Sequence, residues 1–191
     1  MSGSTRRIVR IGGGLAAVLA LAALGSLVAE EGAASNKFVG AAKCKNCHRA
    51  TGSGNQFGTW QKMEHAKAFA TLGTEEAKKA AQAKGIADPQ KAPECLKCHV
   101  AGHGAAADML GEKYKMEEGV TCEACHGPGG DYMAMAVMKD HAKAVAAGMM
   151  EPTEETCKKC HNAESPTFKE FNFATASAAI AHPNPQKSAG K

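Results

Sequence analysis

Four times in this chain, two cysteines three residues apart are followed directly by a histidine: Cys44, Cys47 and His48; Cys95, Cys98 and His99; Cys122, Cys125 and His126; Cys157, Cys160 and His161. The repeat consumes all eight cysteines. A Cys-x-x-Cys pair alone reads as half a zinc site, a disulfide or a thioredoxin-like couple. Two zinc sites of four thiolates each would use the same eight thiols, but none of these readings needs the fifth residue. Histidine makes up only 8 of 191 residues, so its recurrence after every pair is what discriminates. Haem attachment does need it: two thiols form thioethers with the porphyrin vinyl groups, and the adjacent imidazole binds the iron from the same side. The expectation is four covalently bound haem c groups, with His48, His99, His126 and His161 as proximal iron ligands.

Composition leads to the same place by another route. A soluble chain of this length should bury aliphatic and aromatic side chains. Residues 35–191 contain two Ile, three Leu, five Val and six Phe, 16 of 157 residues. So low a fraction ordinarily marks disorder. Four large rigid apolar porphyrins resolve the conflict by serving as the core, at little conformational cost. The predicted fold is therefore mainly α with extensive loops, a single compact unit organised around four covalent haems. Motif intervals of 51, 27 and 35 residues leave no room for a second domain.

The bare chain has a formal net charge of +4, but eight haem propionates would add up to about −8 before the irons are counted. The lysines therefore support no nucleic-acid reading. Lys78 with Lys79 and Lys158 with Lys159 read as solvated helix faces; exposed lysines near haem edges would steer acidic redox partners.

Residues 1–34 read as an export leader, in which Arg6, Arg7 and Arg10 precede an apolar stretch from Leu15 to Leu24. Cleavage after Ala34 or after Gly25 would suit a signal peptidase. The uncharged span Ile11–Ala29 is just long enough to cross a bilayer, so an uncleaved leader would tether the protein to the membrane. The expected location is periplasmic, with residues 35–191 as the tetrahaem domain. Helices are predicted over Trp60–Leu72, Thr74–Lys84 (closed by Gly85), Asp131–Ala147 (capped by Asp131, ended by Gly148) and Phe173–Ala181. Strand signals are nearly absent, and Gly127-Pro128-Gly129-Gly130 is a tight turn.

Four histidines remain after the motifs are served: His65, His103, His141 and His182. Their number equals the distal positions of four haems. His65 shares a helical stripe with Phe69 and Leu72, and His141 shares one with Met133 and Val137, apolar company suited to a porphyrin face. His182 is the third candidate distal ligand. His103 lies four residues past His99, too near to reach the far face of the same iron, so it would serve another haem, another subunit or no metal. Methionine is the competing ligand, but Met133, Met135 and Met138 read better as fillers around irregular plates.

Several blocks of the chain resemble the tetrahaem cytochrome c-554 family of ammonia-oxidising bacteria. They are Ala41-Ala42-Lys43-Cys44 through His48, Trp60, His65-Ala66-Lys67-Ala68, Cys95 through His99 with Val100-Ala101-Gly102, and Gly119-Val120-Thr121 through His126-Gly127-Pro128-Gly129. The resemblance spans about residues 38–182. It implies distal ligation by His65, His141 and His182, and an open, five-coordinate haem on Cys95, Cys98 and His99. The chain departs from the family pattern at His103, where an aromatic residue is usual, in a longer stretch before His141, and in a shorter C-terminal region.

Electron relay between redox proteins is the leading functional reading, with the chain fixing haem spacing and tuning potentials through axial ligands and solvent exclusion. The resemblance implies a hydroxylamine oxidoreductase-like donor if the source organism oxidises ammonia. One alternative is an enzyme that handles a small nitrogen oxide at the open second haem, with His103 or Met109 nearby. Another is a self-associating subunit of an extracellular cytochrome filament, in which His103 or His182 ligates a neighbour's haem.

Overall fold

Two cysteines at i and i+3 and a histidine at i+4 share a face only when the backbone is helical, and each motif lies on a short helix or its closing turn. The computed structural model describes residues 36–182, 184 and 185. The predicted leader, residues 1–34, lies outside the described residues. The first motif ends helix α1 (Ala41–His48). A single 3-10 turn, Thr51–Ser53, leads to α2 (Gln56–Trp60), followed by a 3-10 turn at Glu64–Lys67 and α3 (Ala68–Thr71). Next come α4 (Glu75–Gln82) and α5 (Pro93–His99), which carries the second motif. Helix α6 (Cys122–His126) is the third motif and nothing more. Then follow α7 (Met135–Met138), α8 (His141–Ala146), α9 (Glu154–Lys158), which opens the fourth motif, and α10 (Phe173–Ile180). Beyond α9 the backbone closes with a helical bond from His161 N–H to the Cys157 carbonyl, 2.9 Å. The only extended pairing among the described residues is an isolated parallel bridge between Phe38 and Leu110. The mainly helical, loop-rich class expected from sequence is what the chain adopts. No helix among the described residues is long and apolar enough to cross a membrane.

Where helix chemistry is local, the predicted elements appear nearly as drawn. Thr74 caps α4 by accepting from the Ala77 N–H at 3.2 Å, and the helix closes into Gly85. Asn172 caps α10 in the same way, accepting from Thr175 at 3.0 Å.

Two predicted helices are broken by tertiary ties. The continuous helix Trp60–Leu72 is interrupted because Trp60 Nε1 donates to the Val120 carbonyl (2.9 Å) while Val120 N–H donates to the His65 carbonyl (3.0 Å). These bonds end the helix after Gln61 and leave Met63 extended, overriding the periodic pattern. Gly119 makes the approach feasible: at φ +72, a side chain there would stand 2.9 Å from the His65 carbonyl oxygen. The helix predicted over Asp131–Ala147 divides into α7 and α8, and its cap is not Asp131. Tyr132 is buried, with its hydroxyl donating to the Gly127 carbonyl, which holds the first residues in the turn. Asp140 instead caps α8 by accepting from Lys143 N–H at 3.2 Å.

The side-chain core is thin. Leu72, Leu96 and Val100 pack together with Phe69, Tyr114 and Met116 beside Cys95. No large side chain among the described residues is fully buried. The few buried apolar groups sit beside the motifs, which is where the weak composition of the chain puts what core it has.

Candidate functional site

Three of the four motif histidines have their Nδ1 engaged. His48 Nδ1 meets Gln56 Oε1 at 3.2 Å, His99 Nδ1 meets the Ala68 carbonyl at 2.7 Å, and His126 Nδ1 meets the Met150 carbonyl at 3.1 Å. A hydrogen bond from Nδ1 fixes the ring and leaves Nε2 as the nitrogen that binds metal. His161 is oriented differently, by stacking on Phe171 at 5.0 Å and 19°.

Two of the remaining histidines stand opposite motif histidines. The rings of His65 and His161 are 6.0 Å apart at 88°, and those of His126 and His182 are 5.9 Å apart at 46°. An iron held by two imidazoles at Fe–N of about 2.0 Å, with each ring centroid about 1.1 Å beyond its nitrogen, needs centroids about 6.2 Å apart. Both pairs meet that spacing closely. Both ring separations are compatible with a pair of imidazoles on one haem iron.

Electrostatics agree with that chemistry. Burial, and secondarily the neighbouring His161, hold the His65 imidazole below its usual pKa. Burial also pulls His126 down, with His182 and His48 adding to the effect and the Met150 carbonyl opposing it. A lowered imidazole is neutral, which is the form that ligates.

The thiols are drawn together across motifs. Cys44 is hydrogen-bonded to Cys122, and that bond, with burial, pushes the Cys44 thiol well above its usual range. Burial, with the neighbouring Cys98, pushes Cys160 up to about 12. Cys125 is raised by burial, with Cys157 and Cys122 close enough to contribute. None of the eight forms a disulfide.

The other sequence candidates fall elsewhere. His141 is exposed on α8, its Nε2 3.1 Å from Glu151 Oε1. His103 is half-buried in the turn after α5. Among the described residues, neither forms a ring pair with His48 or His99. Sequence reasoning missed Glu123, which is buried at 3% exposure inside the third motif. Its signal was available, since it is the only acid at any of the eight positions between paired cysteines.

A family model described as cytochrome c554 and c-prime matches residues 43–127, a span that takes in the first three motifs. Cytochrome c-554 of Nitrosomonas europaea is 36% identical over 155 residues, covering 76% of this chain. The chain is similar to the cytochrome c-554 family, most clearly across its first three motifs. The match spans 61% of that relative's own length. The solved reduced state of cytochrome c554 from the same organism superposes with a TM-score of 0.50 at 27% identity, over 81% of this chain and 82% of that one. The cofactors are four covalently bound haem c groups, a number that matches the four Cys-x-x-Cys-His motifs of this chain.

Proposed function

We propose that this protein is an exported, periplasmic tetrahaem cytochrome that relays electrons between redox proteins. The observation that carries the reading is the set of four Cys-x-x-Cys-His motifs in one mainly helical unit, with a further imidazole about 6 Å from two of the motif histidines. When bound, haem supplies a one-electron ferric/ferrous couple at each motif. His48, His99, His126 and His161 are the proximal ligands in this proposal. His65 faces His161 and His182 faces His126, and the near-6 Å ring spacings support both assignments. His141 is the distal partner for the first motif, reached by giving up Glu151. Histidine rather than methionine at the distal faces keeps potentials low, suited to passing electrons onward. Redox proteins are the partners on this reading, with a hydroxylamine oxidoreductase-like protein as the donor if the source organism oxidises ammonia.

The test is a redox titration followed by electron paramagnetic resonance on the intact protein, with its mass measured in parallel. Four additions of roughly 616 Da each, and reduced protein that oxidises rapidly with a second c-type cytochrome but does not turn over hydroxylamine or nitric oxide, support the relay. A colourless product, or sustained turnover of a small nitrogen oxide, overturns it. Far-UV circular dichroism of haem-free chain should show no cooperative melt, since the side-chain core is too thin to fold alone.

A further inference from the structure

Helix α1 begins without a cap of its own. Its N-cap is Gly40, which has no side chain to offer, and its first turn contains no acid. The orphan N–H donors of a helix start need acceptors, and here they come from far along the chain. Glu123 Oε1 accepts from Val39 N–H at 2.7 Å and Oε2 accepts from Gly40 N–H at 2.8 Å. Glu118 Oε2 takes the next donor, Ala41 N–H, at 3.0 Å. Glu123 Oε1 also accepts from Gly129 N–H at 2.8 Å.

One buried carboxylate thus joins three segments: the entry to the first motif, the third motif in which it lies, and the Gly-Pro-Gly turn that leaves the third motif. The backbone is shaped for this. Gly40 has φ +84, and a side chain there would stand 2.2 Å from the Lys113 carbonyl oxygen, so only glycine lets the chain turn its N–H groups inward at this point. A buried carboxylate is costly unless its oxygens are met by donors, and three backbone N–H groups meet this one.

The placement also carries charge. Glu123 acts on Cys44 of the first motif as well as on Cys122 of the third. A fixed negative charge beside a haem favours the ferric state, which has one more positive charge than the ferrous, and so lowers the reduction potential.

We propose that Glu123 is a positioning residue that locks the first haem-attachment helix onto the third and, through its buried charge, lowers the potentials of that haem pair. This rests on the tetrahaem reading above and deepens it. Glu118 shares the capping and also acts on Cys122, but it is less buried, so solvent screens its charge more and Glu123 has the larger effect.

The test uses the haem-loaded full chain. Glu123→Gln keeps the size, removes the charge and turns an amide donor toward one of the three N–H groups. Two of the four midpoint potentials should rise, each by about 59 mV, a tenfold change in a one-electron equilibrium constant. The other two should stay put, with all low-spin signals retained. Glu123→Asp keeps the charge but shortens the reach: potentials should stay near wild type while amide exchange at residues 39–41 quickens about tenfold. Unchanged potentials in Glu123→Gln, or an equal shift of all four, overturn the proposal. Should that variant fail to load haem, wild-type hydrogen exchange decides. Val39 and Gly40 amides protected as well as helical ones support the lock, and exchange at loop rates overturns it. A wild-type protein lacking four haems would instead refute the tetrahaem reading, a result read from the mass alone.

Discussion

His65 and His141 are both distal-ligand candidates, yet the chain holds them in different ways. His65 lies in a frame of tertiary bonds: its carbonyl receives Val120 N–H, Trp60 donates to the same Val120, and Gly119 packs against its backbone. Its ring already stands 6.0 Å from His161. His141 opens a six-residue helix that packs mainly on its neighbour α7, and its Nε2 is turned to Glu151. One candidate is preorganised by distant segments, and the other is presented by local structure and occupied by an exposed carboxylate. The difference teaches that ligand geometry in a protein with a thin core comes from backbone ties between motifs rather than from side-chain packing.

The most severe way to break the comparison is to remove the preorganised ring. His65→Ala should convert one low-spin haem to high-spin, read by electron paramagnetic resonance, and leave the rest of the spectrum in place. His65→Met should keep that haem six-coordinate and raise its potential, by on the order of 100 mV or more, as thioether replaces imidazole. If neither variant alters the haem of the fourth motif, His65 is no ligand and the 6.0 Å ring spacing has another cause.

How much of this was legible beforehand depends on the range of the interaction. The cofactor could be read directly, because four local five-residue patterns point to it. Helices α4 and α10 were also legible, since Thr74 and Asn172 cap within their own first turns. The break after Trp60 was hidden, because its cause is Val120, 60 residues away. The split before Asp140 was hidden for a related reason: Asp131 and Asp140 are equally good caps on paper, and the buried Tyr132 decides between them. Pairing of His65 with His161 and of His126 with His182 could not follow from any spacing. Glu123 was readable only as an oddity, since its partners at Val39 and Gly40 lie more than 80 residues away.

A milder intervention sharpens the comparison at the other histidine. If His141 reaches the first haem by leaving Glu151, then Glu151→Ala should favour the ligated form. Exposed ion pairs contribute about 1 kcal/mol or less, so the ratio of low-spin to high-spin first haem should rise by up to about fivefold. Added salt should act in the same direction on the wild type and have no effect on the variant. A loss of low-spin signal in Glu151→Ala would mean that Glu151 orients His141 rather than withholding it.

The smallest effect is expected in acid. Asp140 caps α8, and the backbone bond from Lys143, with the Lys143 side chain adding, holds its carboxyl below the usual range. A carboxyl lowered in the folded state contributes stability that is fully present above its unfolded value of about 4 and is lost as pH falls through the lowered one. Below about pH 4, amides of residues 141–146 should therefore exchange faster while those around His65, held by backbone bonds with no such carboxylate, keep their protection. Asp140→Asn retains a capping oxygen without a titrating group, so in that variant the extra acid sensitivity of α8 should disappear. Equal acid loosening of both regions would mean that α8 is secured by something other than its cap, and the contrast between a distantly framed ligand and a locally presented one would no longer hold.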